Sequence, residues 1–275
     1  MKRNLDRETV KSFGDEWSRF DQSGLPDAEA QTIFNDYFAV FPWDCLDRNA
    51  TGFDMGCGSG RWAKIMAPRV GHLHCIDPST SLEVAKSNLS SENNVSFHQA
   101  SLDDCGLLAS SQDFGYSLGV LHHVPETANA IKSCVALLKP GAPFLVYLYY
   151  AFDNRSFIFK LVWRITDLLR RVICNLPSSI KNLVTDIVAL FVYFPLARLS
   201  LLAELCSLDV SSIPLSYYRN SSFYTMRTDS RDRFGTPLEQ RFTRNEITSM
   251  LEAAGLTDVR FSSRAPYWCA VGNKR

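Results

Sequence analysis

An α/β fold is predicted for this chain, with a seven-stranded sheet that has helices on both faces. Short apolar segments alternate with helical segments between residues 51 and 150, at the spacing that is typical of parallel sheets. The alternation then stops, and it resumes after residue 235 with one helix and two further strands. These observations predict one sheet that is interrupted by a long insertion.

The individual elements are predicted in the following order. Two amphipathic helices come first, over 5–20 and 26–41, and Pro42 ends the second. Five strands are predicted at 51–55, 72–77, 95–100, 114–120 and 143–150. Three helices lie between them: one at 61–67, one that begins with Ser79 or Thr80 as its N-cap, and one at 127–138. A last helix is predicted at 243–255, followed by strands at 256–263 and 266–272. Thr243 and Glu246 form a capping box for that helix, and Gly255 ends it.

The insertion, residues 151–235, is predicted to contain two long helical stretches over 155–206 and a connector rich in Ser, Tyr and Arg over 207–235. Its longest uncharged apolar run, 187–197, is too short to span a bilayer, and Pro195 is expected to break it. The first stretch is amphipathic. Its charged face is predicted to carry Lys160, Arg164, Asp167 and Arg171, and its apolar face Phe157, Leu161, Leu168 and Val172.

The composition excludes some functional classes. The chain has 275 residues, of which 46% are hydrophobic, so it can bury a substantial core. Lys plus Arg and Asp plus Glu both number 29, and this balance argues against a general nucleic-acid binder. Eight cysteines are scattered without a C-x-x-C pair, and the amino-terminal residues contain no apolar signal region. We therefore expect a cytoplasmic protein that binds no nucleic acid.

A glycine loop follows the first predicted strand. Its spacing, Gly56-x-Gly58-x-Gly60, is one residue shorter than a dinucleotide fingerprint, and it lacks the Lys-Ser/Thr ending of a Walker loop. Asp54 precedes the glycines. At the carboxyl end of a parallel strand, such a loop and the following helix amino terminus can meet a ligand.

The segment "FDMGCGSGRWA" resembles motif I of the class I S-adenosylmethionine-dependent methyltransferases, and the small-molecule, UbiE-like type-11 branch in particular. The order of elements agrees over residues 50–150 and 236–272. The resemblance implies a Rossmann-like methyltransferase sheet, with a helical substrate cap inserted between strands 5 and 6. It also implies S-adenosylmethionine as the cofactor, S-adenosylhomocysteine as the product, and no metal.

The same resemblance implies a set of cofactor-binding residues. Asp77, at the end of the second strand, would accept hydrogen bonds from both ribose hydroxyls. The alternative for Asp77 is a helix N-cap. Ala100, Ser101 and Leu102 stand where the family commonly has Gly-Asp-Ala, so Ser101 would offer a hydroxyl near the adenine. The full predicted set is Trp17, Asp54, Gly56, Cys57, Gly58, Gly60, Asp77, Pro78, Ser101, Leu102, Leu118 and Gly119.

Family members often fold an amino-terminal helix over the cofactor. By this resemblance residues 1–45 would form a helical lid, residues 46–150 and 236–275 the cofactor-binding domain, and residues 151–235 the substrate cap. Phe13, Trp17 and Trp62 could cover the cofactor and exclude water from its sulfonium. The alternative is that these aromatic residues belong to the core.

The segment "LHHV" after the fourth strand resembles one that is common in small-molecule members. His122 and His123 are the candidate bases, because the intrinsic pKa of an imidazole is near neutral. Tyr149, and Tyr150 beside it, could position the methyl acceptor. The alternatives are that the histidines shape the loop and that the tyrosines only pack.

A small molecule is the predicted methyl acceptor, because the Asn/Asp-Pro-Pro-aromatic motif of amino-methylating DNA enzymes is absent from "SLGVLHH". Its methylated group would be a hydroxyl or an amine of a secondary metabolite, a sugar or a lipid-like compound. Tyr150, Arg219, Tyr224 and Arg241 are the predicted substrate-binding residues. Two alternatives remain: a non-catalytic protein that binds S-adenosylmethionine, and a peripheral-membrane enzyme that methylates a lipid or quinone. The sequence predicts no oligomeric state.

Overall fold

The computed structural model describes residues 4–210 and 213–275. Its seven strands form one sheet in the order β3-β2-β1-β4-β5-β7-β6. The strands are β1 Thr51–Met55, β2 His72–Ile76, β3 Val95–His98, β4 Phe114–Leu118, β5 Pro143–Tyr147, β6 Leu256–Phe261 and β7 Cys269–Lys274. The first five are parallel, and β7 runs antiparallel to both β5 and β6. The predicted seven-stranded sheet is confirmed.

Ten α-helices accompany the sheet in the described part of the chain. They are α1 Arg7–Arg19, α2 Asp27–Tyr37, α3 Arg61–Met66, α4 Ser81–Asn88, α5 Thr127–Leu137, α6 Phe157–Ile173, α7 Ser178–Val188, α8 Phe194–Leu205, α9 Phe223–Gly235 and α10 Arg244–Ala253. The predicted capping box of α10 forms, with both Thr243 and Glu246 taking part. The helix after β2 has Thr80 as its N-cap, but the Thr80 side chain makes no capping hydrogen bond.

The central strands pair through reciprocal contacts between glycine and aromatic rings. In the parallel register of β1 and β4, Gly52 stands opposite Phe114, and Phe53 stands opposite Gly115. A Cβ atom on either glycine would overlap the facing ring. The two glycines therefore let both rings lie flat against the neighbouring strand, and all five residues of β4 are buried. Hydrophobic clusters cover the two faces of the sheet, one around Phe53 and Phe144 and the other around Phe114 and Tyr116.

The order of the sheet creates its switch point at β1. This strand pairs with β2 on one side and with β4 on the other. The chain therefore adds β2 and β3 on one side of β1 and then crosses to the other side with β4. Ligands of open α/β sheets bind at the carboxyl ends of the strands beside such a point. The glycine loop, the residues after β3 and the histidine pair after β4 all follow these carboxyl ends.

The predicted connector over 207–235 is wrong in its second half, where α9 runs for 13 residues. Ser222 begins the helix, and its side chain accepts a hydrogen bond from Thr225 N. Apolar periodicity does not reveal this helix because it buries polar side chains, including Thr228, Ser230 and Arg231. Asp167, predicted on the charged face of the first helix, pairs there with Arg171 and is also buried against Arg170.

The expectation that Pro195 breaks the apolar run is wrong as well. α7 and α8 are joined by a π-helical turn, Ala189–Tyr193, and Pro195 lies in the first turn of α8. The wider turn directly before Pro195 accommodates the missing backbone N–H and the ring. Ser178–Leu205 is therefore one helical segment of 28 residues. By length and composition it is the one helix among the described residues that could cross a membrane.

The chain divides into two compact units. The first contains the described residues up to Asp21, together with Gln31–Asp153 and Leu238–Arg275, and it holds the whole sheet. The second contains Gln22–Ala30 and Asn154–Pro237. The first turn of α2 thus belongs with the helices of the second unit, whereas α1 belongs with the sheet.

Candidate functional site

The glycine loop has an unusual backbone that depends on its three glycines. Gly56, Gly58 and Gly60 have φ angles of +80°, +55° and +76°, a region that other residues rarely adopt. The loop is held against the end of β2, because Gly56 N and Cys57 N both donate to Ile76 O, at 2.7 and 3.1 Å. Gly60 is the N-cap of α3.

The three glycines meet different neighbours. A Cβ on Gly56 would come within 2.6 Å of Val120, and a Cβ on Gly60 would come within 2.9 Å of Leu89. These two glycines are therefore required by internal packing. A Cβ on Gly58 would instead lie 3.0 Å from Trp17 Nε1 on α1. Gly58 is thus the glycine of the loop that lies against the amino-terminal helix.

Asp77 organises two loops at the end of β2. Its Oδ2 accepts a hydrogen bond from Gly58 N at 2.9 Å, and its Oδ1 accepts from Ser79 N at 2.8 Å and from Ser79 Oγ at 2.6 Å. The carboxylate is 8% exposed. A carboxylate has about four lone-pair directions, so three are used internally and capacity for a ligand remains. The bond to Ser79 N also gives Asp77 the turn-forming role that was the alternative prediction, while the N-cap itself is Thr80.

Buried oxygen atoms lie near these carboxyl ends. Ser59 Oγ and Ser101 Oγ have no hydrogen-bond partner among the described residues, and the buried Asp54 carboxyl interacts with the Tyr116 hydroxyl. The side chains that carry them are between 1% and 6% exposed. Burial raises the pKa of Asp54 to about 8, and the nearby carboxylate of Asp77 adds to the rise. Unsatisfied buried oxygens are costly, so their grouping at one edge of the sheet indicates a site for a polar ligand.

These oxygens fit the cofactor that the sequence resemblance implies. S-adenosylmethionine carries donors on its ribose, its adenine and its amino-acid part, and each unsatisfied oxygen can accept a hydrogen bond. Among residues 4–210 and 213–275 there is no group of three His, Cys, Asp or Glu side chains that could hold a metal ion. The remaining predicted cofactor residues also lie at the carboxyl ends of β1 to β4. They are Cys57, Pro78, Leu102, Leu118 and Gly119.

The amino-terminal helix α1 buries a polar face. Thr9, Ser12 and Glu16 are 5% exposed or less, and their spacing places them on one side of the helix. Phe13 and Trp17, which the sequence suggested as covering residues, are half-buried. A helix that buries polar side chains is unsuited to an apolar core, and its packing against the glycine loop is consistent with a polar ligand beneath it.

Trp62 belongs to the core. It is 4% exposed and lies beside Phe34 and Tyr37, with ring centroids 6.5 and 5.4 Å away. The guanidinium of Arg61 lies over Trp62 at 4.3 Å and over Trp17 at 5.0 Å. Arg61 therefore links the core tryptophan to the tryptophan of α1 through two cation–π contacts.

The two histidines after β4 have different environments. His123 Nδ1 lies 2.6 Å from Leu238 O, and because a carbonyl oxygen only accepts, Nδ1 carries the proton and Nε2 holds the lone pair. His122 is fully buried, and neither of its ring nitrogens has a partner in the described part of the chain. Burial lowers the pKa of His122 well below its ordinary value, and the positive charge of Arg241, with that of His123 whenever its ring is protonated, acts in the same direction. His122 is therefore neutral.

Aromatic side chains surround the histidine pair. The ring of Tyr149 contacts that of His122 in a tilted arrangement with centroids 3.9 Å apart, and Phe13 of α1 meets His123 edge-on at 5.0 Å. Tyr147 lies 5.8 Å from Tyr149. The predicted catalytic residues His122, His123 and Tyr149 thus form one cluster at the ends of β4 and β5, and α1 also reaches it.

Arg241 joins this cluster through the segment before α10. Its guanidinium lies 4.9 Å from the Tyr149 ring and pairs with Glu239 Oε1 at 2.8 Å, and its Nη1 donates to Tyr150 O at 3.3 Å. The Arg241 and Glu239 side chains are only 13% and 2% exposed. A buried ion pair of this kind can present a fixed guanidinium edge to a bound molecule.

The other two predicted substrate-binding residues lie in the second unit and have partners there. Arg219 forms a two-pronged ion pair with Glu204, at 2.7 and 2.8 Å. The Tyr224 hydroxyl accepts a hydrogen bond from Gln22 N at 2.9 Å. A substrate-binding role for Arg219 or Tyr224 stays a prediction.

Sequence reasoning missed Ser59, Glu16 and Glu239 as residues of this region. Ser59 stands between two predicted glycine ligands, so its position in the loop was an available signal. The burial of Glu16 had a weaker signal, the helical spacing that it shares with Ser12 and Thr9. Glu239 lies in a segment without regular structure, and no local pattern identifies it.

Comparisons with known proteins identify the family. Residues 53–146 match the model of a family described as "Methyltransferase domain". The chain is 31% identical over 172 residues to a ubiquinone biosynthesis O-methyltransferase of Hahella chejuensis, covering 58% of this chain and 68% of that protein. It is also 31% identical over 122 residues to the enzyme of the same name from Aromatoleum aromaticum, covering 42% of this chain. The chain spans about half the length of the latter, 50%.

Solved structures show the same fold. An O-methyltransferase family protein from Burkholderia thailandensis superposes with a TM-score of 0.50 at 15% identity, covering 90% of this chain and 57% of that one. The S-adenosylmethionine-dependent methyltransferase SibL in its apo form superposes with a TM-score of 0.53 at 14% identity, covering 90% of this chain and 56% of that one. At these identities the similarity extends to the fold alone.

Proposed function

This chain belongs to the class I S-adenosylmethionine-dependent methyltransferases, in their type-11 branch, and from that premise we propose that it methylates a hydroxyl oxygen on an aromatic, largely apolar small molecule. The observation that carries the proposal is the His123 imidazole, whose Nδ1–H is fixed by Leu238 O within an aromatic cluster at the end of β4.

The chain's own residues hold the cofactor in this proposal. S-adenosylmethionine, when bound, supplies a methyl group on a sulfonium, which is transferred by in-line displacement. Asp77 and Ser101 would accept hydrogen bonds from the nucleoside part, and the glycine loop and Asp54 would hold the amino-acid part. The buried polar face of α1, with Ser12 and Glu16, excludes water from this region.

His123 is the proposed general base. Its Nδ1 proton is held by Leu238 O, so Nε2 can accept the proton of an acceptor hydroxyl. His122 is a poorer candidate because its strongly lowered pKa makes it a weak proton acceptor. We assign His122 to packing against Tyr149, where the two ring centroids lie 3.9 Å apart.

The aromatic character of the acceptor is proposed from the lining of the histidine cluster and from the relatives. Tyr147, Tyr149 and Phe13 provide ring faces and edges for a planar molecule. Both relatives described above are named for O-methylation in ubiquinone biosynthesis, which favours an oxygen over an amine and a quinone-type ring over a sugar. Arg241 would position a polar substituent on that ring.

Transfer of a labelled methyl group tests the proposal. The full chain is mixed with S-adenosylmethionine and a dihydroxybenzene that carries a short isoprenoid tail, with the fully methylated ring as the control acceptor. We expect label only in the compound with free hydroxyls. We also expect His123→Asn to lower kcat by about 100-fold with little change in KM, and His122→Asn to lower it much less. Cofactor binding without transfer to any hydroxylated ring would contradict the proposal and favour a non-catalytic binding protein.

A further inference from the structure

The helices of the second unit have an inverted distribution of polarity. Large apolar side chains on α6 and on Ser178–Leu205 are exposed. Seven of them are between 56% and 70% exposed: Leu168, Leu169, Val172, Leu183, Phe191, Leu199 and Leu202. Nearly all exposed large hydrophobic residues in the described part of the chain lie in this unit, and Leu108 is the exception. We call the exposed apolar faces of α6 and Ser178–Leu205 the apolar surface.

The interior of the same unit combines a small apolar cluster, which includes Met226 and Phe234, with many buried polar side chains. Thr185, Ser200 and Ser230 are completely buried, and so is the Arg231 side chain. Arg170 and Asp167 form a buried ion pair at 2.7 Å, with both side chains less than 10% exposed. In water, a helical unit normally places its apolar residues inside and its polar residues outside. The opposite arrangement is stable where the surroundings are apolar.

The four charged side chains of Ser178–Leu205 all have hydrogen-bond partners inside the unit. The four are Lys181, which donates to Gly235 O at 3.2 Å; Asp186, which pairs with Arg227; Arg198, which donates to the Arg219 and Ser221 carbonyls; and Glu204, which pairs with Arg219. Asp186 and Glu204 thus have counter-charges, and Lys181 and Arg198 have carbonyl acceptors. All four polar groups are held by the unit itself, so the exposed face of the long helix is left apolar.

A basic edge borders the apolar surface on α6. Helical spacing places Lys160, Arg164 and Arg171 on one side of this helix, next to the exposed apolar residues. Arg171 also contacts Asp167 at 3.0 Å and remains 68% exposed. Cations that flank an apolar helix face are complementary to anionic phospholipid headgroups.

The dimensions and charges of the apolar surface decide whether a small molecule, a second copy of the chain or a bilayer fits it. At 1.5 Å per residue, α6 and Ser178–Leu205 are about 25 and 42 Å long, far larger than a small-molecule acceptor. A second copy related by two-fold symmetry would bring an identical cationic edge to the interface. A bilayer fits both the extent of the surface and its charge.

The helix Ser178–Leu205 cannot be surrounded by lipid on all sides. The polar helix α9 packs along it, with Arg227 paired to Asp186 and Ser230 Oγ donating to Thr185 O at 2.8 Å. Only the opposite side is exposed and apolar. This arrangement favours a helix that lies in the plane of the membrane over one that crosses it.

We propose that the apolar surface of the second unit inserts into one leaflet of a phospholipid bilayer, with Lys160, Arg164 and Arg171 at the anionic headgroups. The inference rests on this unit alone and does not depend on the methyl transfer proposed above. It would give the protein access to acceptors dissolved in the membrane.

Vesicle flotation tests the proposal with the full chain. We expect the chain to float with vesicles of phosphatidylcholine and phosphatidylglycerol, and severalfold less with phosphatidylcholine alone. Because apolar insertion is not screened by ions, about 1 M salt should reduce flotation without abolishing it. The double variant Leu168→Asp/Leu183→Asp should lower the bound fraction at least about tenfold. Lys160→Glu/Arg164→Glu should remove the preference for the anionic vesicles.

Leu108→Asp is the matched control, because Leu108 is 78% exposed but lies in the first unit. It should float like the unchanged chain. Urea unfolding shows whether each variant is folded, and calorimetric titration with S-adenosylmethionine separates this test from that of the methyl transfer. Absence of flotation on both vesicles would overturn the proposal, as would unchanged flotation of Leu168→Asp/Leu183→Asp. A dimer in vesicle-free buffer that this variant disperses, without flotation of the unchanged chain, would assign the surface to a second copy.

Discussion

Gly58 donates its backbone N–H to Oδ2 of Asp77 over 2.9 Å, and this bond ties the glycine loop to the end of the neighbouring strand. The other oxygen of Asp77 holds Ser79 at the start of the next loop. One carboxylate thus sets the positions of two loops that flank the proposed cofactor site. Its contribution to cofactor binding is both direct, through its remaining lone-pair capacity, and indirect, through the loop geometry.

Replacing Asp77 should therefore weaken cofactor binding. We expect Asp77→Ala to reduce the affinity for S-adenosylmethionine by at least about tenfold, because a hydrogen bond to a charged group is lost and the Gly58 N–H is left without its acceptor. Calorimetric titration measures the effect. Asp113→Ala is the matched control: Asp113 also accepts from a backbone amide, Thr51 N at 2.9 Å, but at the opposite end of β1. Equal losses of affinity in both variants would contradict the assignment of Asp77 to the site.

Gly58 should tolerate a methyl group less well than a glycine that has only an unusual φ angle. Gly58→Ala is expected to lose about 1 kcal/mol to its positive φ, and more because the new Cβ would lie 3.0 Å from Trp17 Nε1. Gly106→Ala has a comparable φ of +75° but meets nothing within 4 Å. Urea unfolding gives both free energies, and limited proteolysis reports whether α1 loosens. If the two variants are equally destabilised, the contact between α1 and the loop contributes nothing to the free energy of unfolding.

The buried carboxyl of Asp54 should make stability depend on pH. Its pKa is raised from 3.8 to about 8, so the folded chain binds a proton that the unfolded chain releases. The stabilisation that this proton gives the folded chain is fully present below 3.8, the pKa of Asp54 in the unfolded chain. It is lost as the pH rises towards 8, at a rate on the order of 1 kcal/mol per pH unit. Asp54→Asn carries no such proton.

The difference in unfolding free energy between Asp54→Asn and the unchanged chain should therefore move in favour of the variant as the pH rises from about 5 to about 8. Urea unfolding without cofactor, repeated across this range, provides the measurement. Groups that titrate in both proteins contribute equally to the two unfolding free energies, so they do not affect the difference. A difference that stays constant with pH would show that Asp54 is ionised in the folded state.

The sequence was sufficient for the sheet and for the glycine loop because both have local signals. A strand such as β1 is short and apolar, and Gly56, Gly58 and Gly60 are needed for a backbone that no other residue adopts easily. The inverted second unit has no such signal. In α9, Ser230 and Arg231 are buried, so apolar periodicity, which assumes an apolar interior, assigns the segment to a connector. Glu16 was missed for the same reason, since an acidic residue on a terminal helix is normally exposed.

The ion pair of Arg241 and Glu239 should be strongly coupled, because both side chains are shielded from water next to Tyr149. We expect Glu239→Gln to cost about 1–3 kcal/mol of unfolding free energy, since it leaves a shielded guanidinium without its carboxylate. In Glu239→Gln/Arg241→Met that penalty is largely absent, so the double variant should be destabilised by less than the sum of the two single changes. Urea unfolding of the four proteins of this cycle gives the coupling energy.

The exposed pair Lys86 and Glu83 is the reference for that cycle. Its side chains are 45% and 68% exposed, and its atoms are 2.7 Å apart, so it matches the Arg241 pair in distance but not in burial. A coupling of about 0.5 kcal/mol or less is expected there, because water screens the charges. If Arg241 and Glu239 couple no more strongly than this reference pair, their burial does not fix the guanidinium, and Arg241 loses its proposed role in positioning the acceptor ring.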